Sequence, residues 1–173
     1  MNHSNTMSKY FWQTVGLGTL AGFRSMTAPM LLSDNLTKFH PHALAKSPLR
    51  WMQKPWVATG LKLMTAGEMV GDKMPDAPDR TAPPVLAGRA LSGALVGATL
   101  YKINHDSALK GALLGSAMAV AATYASLYLR KKSAQQSGLP LSLVGGLEDA
   151  LVLGAGFALS KGTALGLPAG RAL

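Results

Sequence analysis

The sequence predicts an all-α protein, a polytopic membrane helix bundle with about five transmembrane segments. Charged residues make up only 14% of the 173 residues, whereas soluble domains contain about 25%. Several stretches approach the roughly 20 apolar residues that cross a bilayer core. Seventeen Lys and Arg residues against eight Asp and Glu residues give a net charge of +9. In so apolar a chain, we interpret this surplus as anchors for lipid headgroups and not as a nucleic-acid surface.

The expected helices are distributed along the chain, which we interpret as one membrane domain over residues 1–173. The first, residues 10–32, opens with aromatic residues typical of a membrane interface and contains a single charge, Arg24. The clearest helix is the fourth, residues 111–129, which carries no charge and precedes a basic cluster at 130–132. The other three expected helices cover residues 56–70, 85–101 and 141–159, and a loose Gly-rich tail covers residues 161–173.

This interpretation predicts a multi-pass protein of the bacterial plasma (inner) membrane whose partner is the lipid bilayer. One or two segments could instead be re-entrant or interfacial, and a soluble Ala/Gly-rich bundle is the alternative. The basic residues divide almost evenly between the two sides of five spans, so the positive-inside rule leaves the orientation open.

Small residues four positions apart favour close helix packing, because they let two backbones approach each other. The pattern also suits a homo-oligomer, and the sequence does not separate the two uses. The pairs and the one triplet are Gly67/Gly71, Gly93/Gly97, Gly111/Gly115 and Ala117/Ala121/Ala125. An arginine in one expected helix followed by an acid in the next occurs twice along the chain. One expected helix separates the two pairs, so the second pair would enter the membrane in the opposite sense, as the halves of an inverted repeat do.

Charges inside expected spans are the main functional signal. Each costs roughly 2.5–3.5 kcal/mol at the bilayer centre and therefore needs a partner or a hydrated pocket. Arg24, near several glycines and Pro29, suits a helix that is interrupted where its backbone lines a cavity. Arg89 and Lys62 lie near helix ends and are expected to extend toward the interface. The candidate residues for solute binding or pore lining are Arg24, Glu68, Asp72, Lys73, Arg89, Glu148 and Asp149.

The densest polar segment, residues 68–81, contains four of the eight acids. Asp72, Asp76 and Asp79 could hold Mg²⁺ or Ca²⁺ through carboxylate oxygens, although their spacing is not that of an EF-hand. The segment could also act as a gate whose acids meet Arg24 or the basic loop at residues 34–55. A rigid proline-rich turn, in which Lys73 and Arg80 neutralise local acids, is the third interpretation.

Four runs, at residues 16–29, 66–84, 87–102 and 146–156, resemble a family of small bacterial membrane proteins known as domain of unknown function 4126. The likeness rests on three elements: G-x-R-x4-P (Gly22, Arg24, Pro29), E-x3-D-K-x-P (Glu68, Asp72, Lys73, Pro75) and the pair Glu148 and Asp149. The resemblance implies an integral inner-membrane protein and brings no established activity, substrate or cofactor.

The sequence contains no G-x-S-x-G, H-E-x-x-H or Walker A motif and no cysteine, so we expect neither an enzyme nor a bound cofactor. The favoured hypothesis is a transporter or channel-like protein for a small or anionic solute, with Arg24 and the intramembrane acids along the path. A non-catalytic membrane scaffold is the alternative hypothesis. A metal-dependent lipid-modifying enzyme that uses the Asp72–Asp79 segment is the third.

Overall fold

The computed structural model describes residues 3–71, residues 82–137 and Gly154. These residues form five α-helices and two short 3₁₀ helices. The α-helices are α1 (His3–Phe23), α2 (Thr27–Phe39), α3 (Pro55–Gly71), α4 (Pro83–Ile103) and α5 (Ala108–Ser137), and the 3₁₀ helices, His42–Leu44 and Pro48–Gln53, connect α2 to α3. The all-helical class that the sequence predicts is confirmed for the described chain.

Helices α1, α4 and α5 pack together as a three-helix unit. Gly93 and Gly97 of α4 face Gly115 and Gly111 of α5 in reverse order, so these two helices are antiparallel. Gly18 of α1 faces Gly115, and Gly22 faces Ala119, so α1 and α5 run in the same direction. At these crossings the backbone of one helix lies directly against the backbone of the next.

The small-residue pairs have different outcomes. Gly93/Gly97 and Gly111/Gly115 pack against each other, as the sequence predicts. At Gly67 and Gly71 an added methyl group would meet no described atom within 4 Å. The stripe Ala117/Ala121/Ala125 is exposed on the surface of α5, so it is not a packing face within the described chain.

Helices α2 and α3 lie against each other beside this unit, and α2 also contacts α4. Proline begins α3 at Pro55 and α4 at Pro83, positions where the missing N–H leaves no helical bond unmade. Leu32 and Leu36 of α2 join Leu17 of α1 and Leu100 of α4 in one apolar core.

The expected single helix over residues 10–32 is two helices in the structure. Helix α1 ends at Phe23 and α2 begins at Thr27, so the chain is interrupted at Arg24–Met26. The sequence associates an interruption with Arg24, and the structure confirms it. The expected helices at 56–70, 85–101 and 111–129 correspond to α3, α4 and α5, whereas 141–159 lies outside the described residues except for Gly154.

Within the described residues, one segment is long and apolar enough to cross a membrane, Ala108–Leu129 of α5. Only 28% of its most apolar stretch is buried inside the protein. A core helix of a soluble protein would be mostly buried, so this exposure gives modest support to membrane association.

Replacement of Gly97 by alanine tests the close packing of α4 on α5. The added methyl group would press on the Gly111 carbonyl, which is backbone and cannot rotate away. We expect the free energy of unfolding in detergent to fall by about 1–3 kcal/mol. Gly67→Ala is the matched control, and the higher helix propensity of alanine than of glycine should stabilise α3 by up to about 1 kcal/mol. Equal effects of the two substitutions on unfolding would contradict the packing.

Candidate functional site

The interruption between α1 and α2 is where charged and hydroxyl side chains from three other helices meet. Pro29 causes part of it. In a continuous helix residue 29 would donate its N–H to the Ser25 carbonyl, but proline has no N–H and its ring crowds that carbonyl. The Ser25 carbonyl oxygen instead accepts a hydrogen bond from Ser92 Oγ of α4.

The carbonyl of Gly22, at the end of α1, is also released from the helical pattern. Arg89 Nη1 of α4 donates to this oxygen over 2.9 Å. Thr123 Oγ1 of α5 lies 3.0 Å from it and 2.9 Å from the Ala119 carbonyl oxygen, so this hydroxyl can donate to either. Gly22 is therefore held from α4 and α5 together.

The amide groups on the other side of the interruption are held by a carboxylate. Ser25 N donates to Glu68 Oε1 over 2.9 Å, and Met26 N donates to Glu68 Oε2 over 3.0 Å. Helix α2 has no side-chain cap of its own, so Glu68 of α3 performs this role from 42 residues away in the sequence. In an unbroken helix the Met26 amide would instead donate to Gly22.

The charges match the dipoles of the two helix ends. The carboxyl end of a helix carries a partial negative charge and the amino end a partial positive charge. The cationic Arg89 binds the end of α1, and the anionic Glu68 binds the start of α2. Both charges therefore stabilise the interruption that brings them together.

Arg24 lies within the interruption itself and is only 2% exposed. Its backbone amide still donates to the Leu20 carbonyl, so the last turn of α1 ends here. A buried arginine places a permanent positive charge and several N–H donors inside the protein.

The expectation for Arg89 changes, whereas that for Lys62 does not. Arg89 was expected to extend to the interface, but it is 1% exposed and bound to Gly22. The expectation is wrong because the partner of Arg89 is a carbonyl that only the interruption of α1 releases. Lys62 is exposed and forms an ion pair of 2.5 Å with Asp34 of α2.

Six of the predicted site residues lie outside the described chain. They are Asp72, Lys73, Asp76, Asp79, Glu148 and Asp149. The metal and gating interpretations of residues 68–81 remain predictions. Among the described residues, no group of three or more histidine or acidic side chains could hold a metal ion.

No motif in the sequence singles out Ser92 or Thr123. Ser92 lies three residues after Arg89 on α4. Arg89 binds the Gly22 carbonyl and Ser92 binds the Ser25 carbonyl, and these two carbonyls are also three residues apart. An arginine and a serine on one helix face, opposite a proline-interrupted helix, could have indicated such a pairing.

The family described as domain of unknown function (DUF4126) matches residues 12–161. The chain belongs to this family. The match includes all of α2, α3, α4 and α5 and the second half of α1, and thus the whole interruption. The comparison with curated proteins found no match, and the comparison with solved structures found none. The resemblance seen in the sequence is therefore confirmed as membership of a family without an assigned function.

Substitution of Glu68 tests how the interruption is held. Glu68→Ala leaves the Ser25 and Met26 amides without their acceptor, so we expect the free energy of unfolding to fall by about 1–3 kcal/mol. Glu68→Gln should cost less, because its amide oxygen still accepts one of the two bonds. Hydrogen exchange of the two amides should accelerate in Glu68→Ala.

The control for Glu68→Ala is Lys62→Ala on the same helix. This change removes an exposed ion pair with Asp34 and should cost under about 1 kcal/mol. Unchanged exchange of the Ser25 and Met26 amides in Glu68→Ala would show that Glu68 does not bind them in solution.

Proposed function

We propose that this chain is a multi-pass protein of the bacterial inner membrane that moves a small anionic solute past the interruption between α1 and α2. Interrupted helices at which helix ends and buried charges meet are typical of solute sites in transporters. The observation that carries the proposal is the burial of Arg24 and Arg89 at one interruption, with Glu68 bound on its other side.

Two hydroxyl groups near the interruption support a solute site there. Thr27 Oγ1 at the start of α2 and Ser126 Oγ of α5 are buried and have no hydrogen-bond partner within the described structure. Ser126 lies one turn beyond Thr123, which contacts Gly22. Since buried polar groups are nearly always hydrogen-bonded, these hydroxyls suit a position beside a water or a solute.

The surface of α5 supports the membrane placement. Its exposed face carries large apolar side chains along the length of the helix. A continuous exposed apolar surface marks an interaction or membrane surface, and lipid tails would cover this one. These exposed residues are Leu109, Leu113, Tyr124, Tyr128 and Leu129.

A second candidate function is a non-catalytic membrane scaffold, in which the buried charges only hold helices together. The bonds of Arg89 and Glu68 to the backbone favour it, because both side chains are already used by the fold. Arg24 separates the two proposals, since a scaffold needs its charge for stability alone and a transporter needs it for solute binding.

Neutralising Arg24 tests transport. In proteoliposomes loaded with a panel of small anions (chloride, nitrate, acetate and phosphate), the unmodified chain should accelerate the flux of at least one of them. Arg24→Gln should lower that flux at least about tenfold, because a charged hydrogen bond to the solute, worth about 1.5–3 kcal/mol, is lost.

The matched control for Arg24→Gln is Arg50→Gln, which changes an exposed arginine in the second 3₁₀ helix and should leave flux unchanged. Circular dichroism and thermal unfolding of each variant separate loss of binding from loss of fold. A folded Arg24→Gln variant with unchanged flux, or a parent chain with no flux for any anion, would favour the scaffold.

The absence of cysteine in the sequence permits a direct test of the membrane placement. Ala121→Cys places a thiol in the middle of α5. Ser107→Cys places one just before the helix, and Lys132→Cys places one near its end. All three positions are exposed or partly exposed in the protein. In vesicles in which the chain has one orientation, we expect a membrane-impermeant maleimide to label only the outward-facing one of positions 107 and 132. The other position and 121 should stay unlabelled until detergent is added. Rapid labelling of position 121 in intact vesicles would contradict a transmembrane α5.

A further inference from the structure

A cavity of about 310 Å³ lies at the other end of the α1–α4–α5 unit from the interruption. It is lined by Ser8, Tyr10, Phe11, Tyr101, Asp106 and Lys110. These residues come from the start of α1, the end of α4, the turn that follows α4 and the start of α5. The cavity is therefore separate from the site proposed for the solute.

The chemistry of the cavity is that of a cation site with a second, positive group at its rim. Tyr10 and Tyr101 meet edge to face, with ring centroids 4.8 Å apart. Tyr10 Oη donates to Asp106 Oδ2 over 3.0 Å, which fixes the carboxylate beside the rings. Phe11, which also lines the cavity, is 40% exposed, and an exposed aromatic ring with an adjacent carboxylate is a favourable environment for an ammonium group.

The carboxylate is ionised at neutral pH and only weakly neutralised by the protein. The Ser107 amide and the Tyr10 hydroxyl donate to it and hold the pKa of Asp106 below its usual range. Lys110 lies 3.5 Å from Asp106 and its side chain is 71% exposed, so a bound cation can replace it. Lys110 is then available to bind an anionic group outside the cavity.

The surroundings of the cavity indicate that the ligand carries lipid chains. Phe11 and Trp12 are exposed beside it on α1, as aromatic side chains are at a membrane interface. Leu109 and Leu113 are exposed on either side of Lys110 in the chain, where the apolar surface of α5 begins. An ammonium in the cavity, a phosphate at Lys110 and acyl chains along α5 form one continuous arrangement.

We infer that this cavity binds the headgroup of a zwitterionic phospholipid, with its ammonium group at Asp106 and the exposed Phe11 ring and its phosphate at Lys110. Bound lipid would fix the α4–α5 turn against the start of α1. The inference shares with the proposed function only the placement of α5 in a membrane, and it does not depend on transport.

The test measures lipid binding to the purified full chain in detergent, by native mass spectrometry and by the rise in unfolding temperature. Phosphatidylethanolamine should bind at least about tenfold more tightly than phosphatidylglycerol, which has the phosphate and the chains but no ammonium. Glycerophosphoethanolamine, the same headgroup without chains, should bind far more weakly than the lipid. Binding of the free headgroup as tight as that of the lipid would overturn the assignment to a membrane lipid.

Variants locate the binding. Asp106→Asn and Lys110→Ala should each weaken phosphatidylethanolamine binding about tenfold, which corresponds to about 1.4 kcal/mol. Lys110 is exposed, so its replacement should leave the fold intact, as the unfolding temperature without lipid will show. Lys102→Ala, an exposed lysine at the same end that does not line the cavity, is the control and should bind as the parent does. Equal affinity for the two lipids, or wild-type binding by Lys110→Ala, would overturn the inference whether or not the chain transports anions.

Discussion

The arrangement of this protein depends on one constraint, which is that the backbone groups released between α1 and α2 need partners inside the bundle. A buried amide or carbonyl without a hydrogen bond costs about as much as a typical substitution in the core. Here the Ser25 and Met26 amides are bound by Glu68, the Gly22 carbonyl by Arg89, and the Ser25 carbonyl by Ser92. Because these partners belong to α3 and α4, the interruption also fixes where those helices lie. The site and the fold are therefore stabilised by the same bonds.

Glycine makes this arrangement geometrically possible. A side chain reaches a carbonyl on a neighbouring helix only if the helices are close, and the crossings of α1, α4 and α5 at Gly18, Gly93 and Gly115 bring their backbones into direct contact. In the membrane that we propose for this chain, lipid would provide little hydrophobic drive for helices to associate, so close packing and interhelical hydrogen bonds would have to stabilise the bundle. The hydroxyl of Thr123 contributes to both, since it lies against the Gly22 carbonyl one turn after the Ala119 contact.

The sequence predicts the helices more accurately than their partners. Apolar runs and proline start signals indicate α3 and α4 to within two residues at each end, because both signals are local. Helix α5 continues past residue 129 to Ser137, since lysine, alanine and glutamine are good helix formers even where apolarity ends. Hydropathy alone predicts one helix over residues 10–32, because the run is apolar apart from a few polar residues and Arg24. The interruption is indicated only by Arg24 with its neighbouring glycines and Pro29, and the carboxylate that binds there is 42 residues away. The burial of Arg89 is unpredictable for the same reason, as its acceptor exists only once α1 is interrupted and packed against α4.

The position of the interruption gives the two ends of the α1–α4–α5 unit different roles. Tyr10 and Arg24 are 14 residues apart, or about 21 Å along a helix. If the aromatic residues around Tyr10 mark one membrane interface, Arg24 lies about two-thirds of the way through a hydrocarbon core of roughly 30 Å. A permanent positive charge at that depth needs buried hydrogen-bond acceptors or an opposite charge in place of water, and the interruption releases backbone carbonyls such as that of Gly22. The end near Tyr10 instead combines exposed aromatic rings with an ionised carboxylate and an exposed lysine. One end is thus suited to contact headgroups, and the buried end is suited to hold a charge away from water.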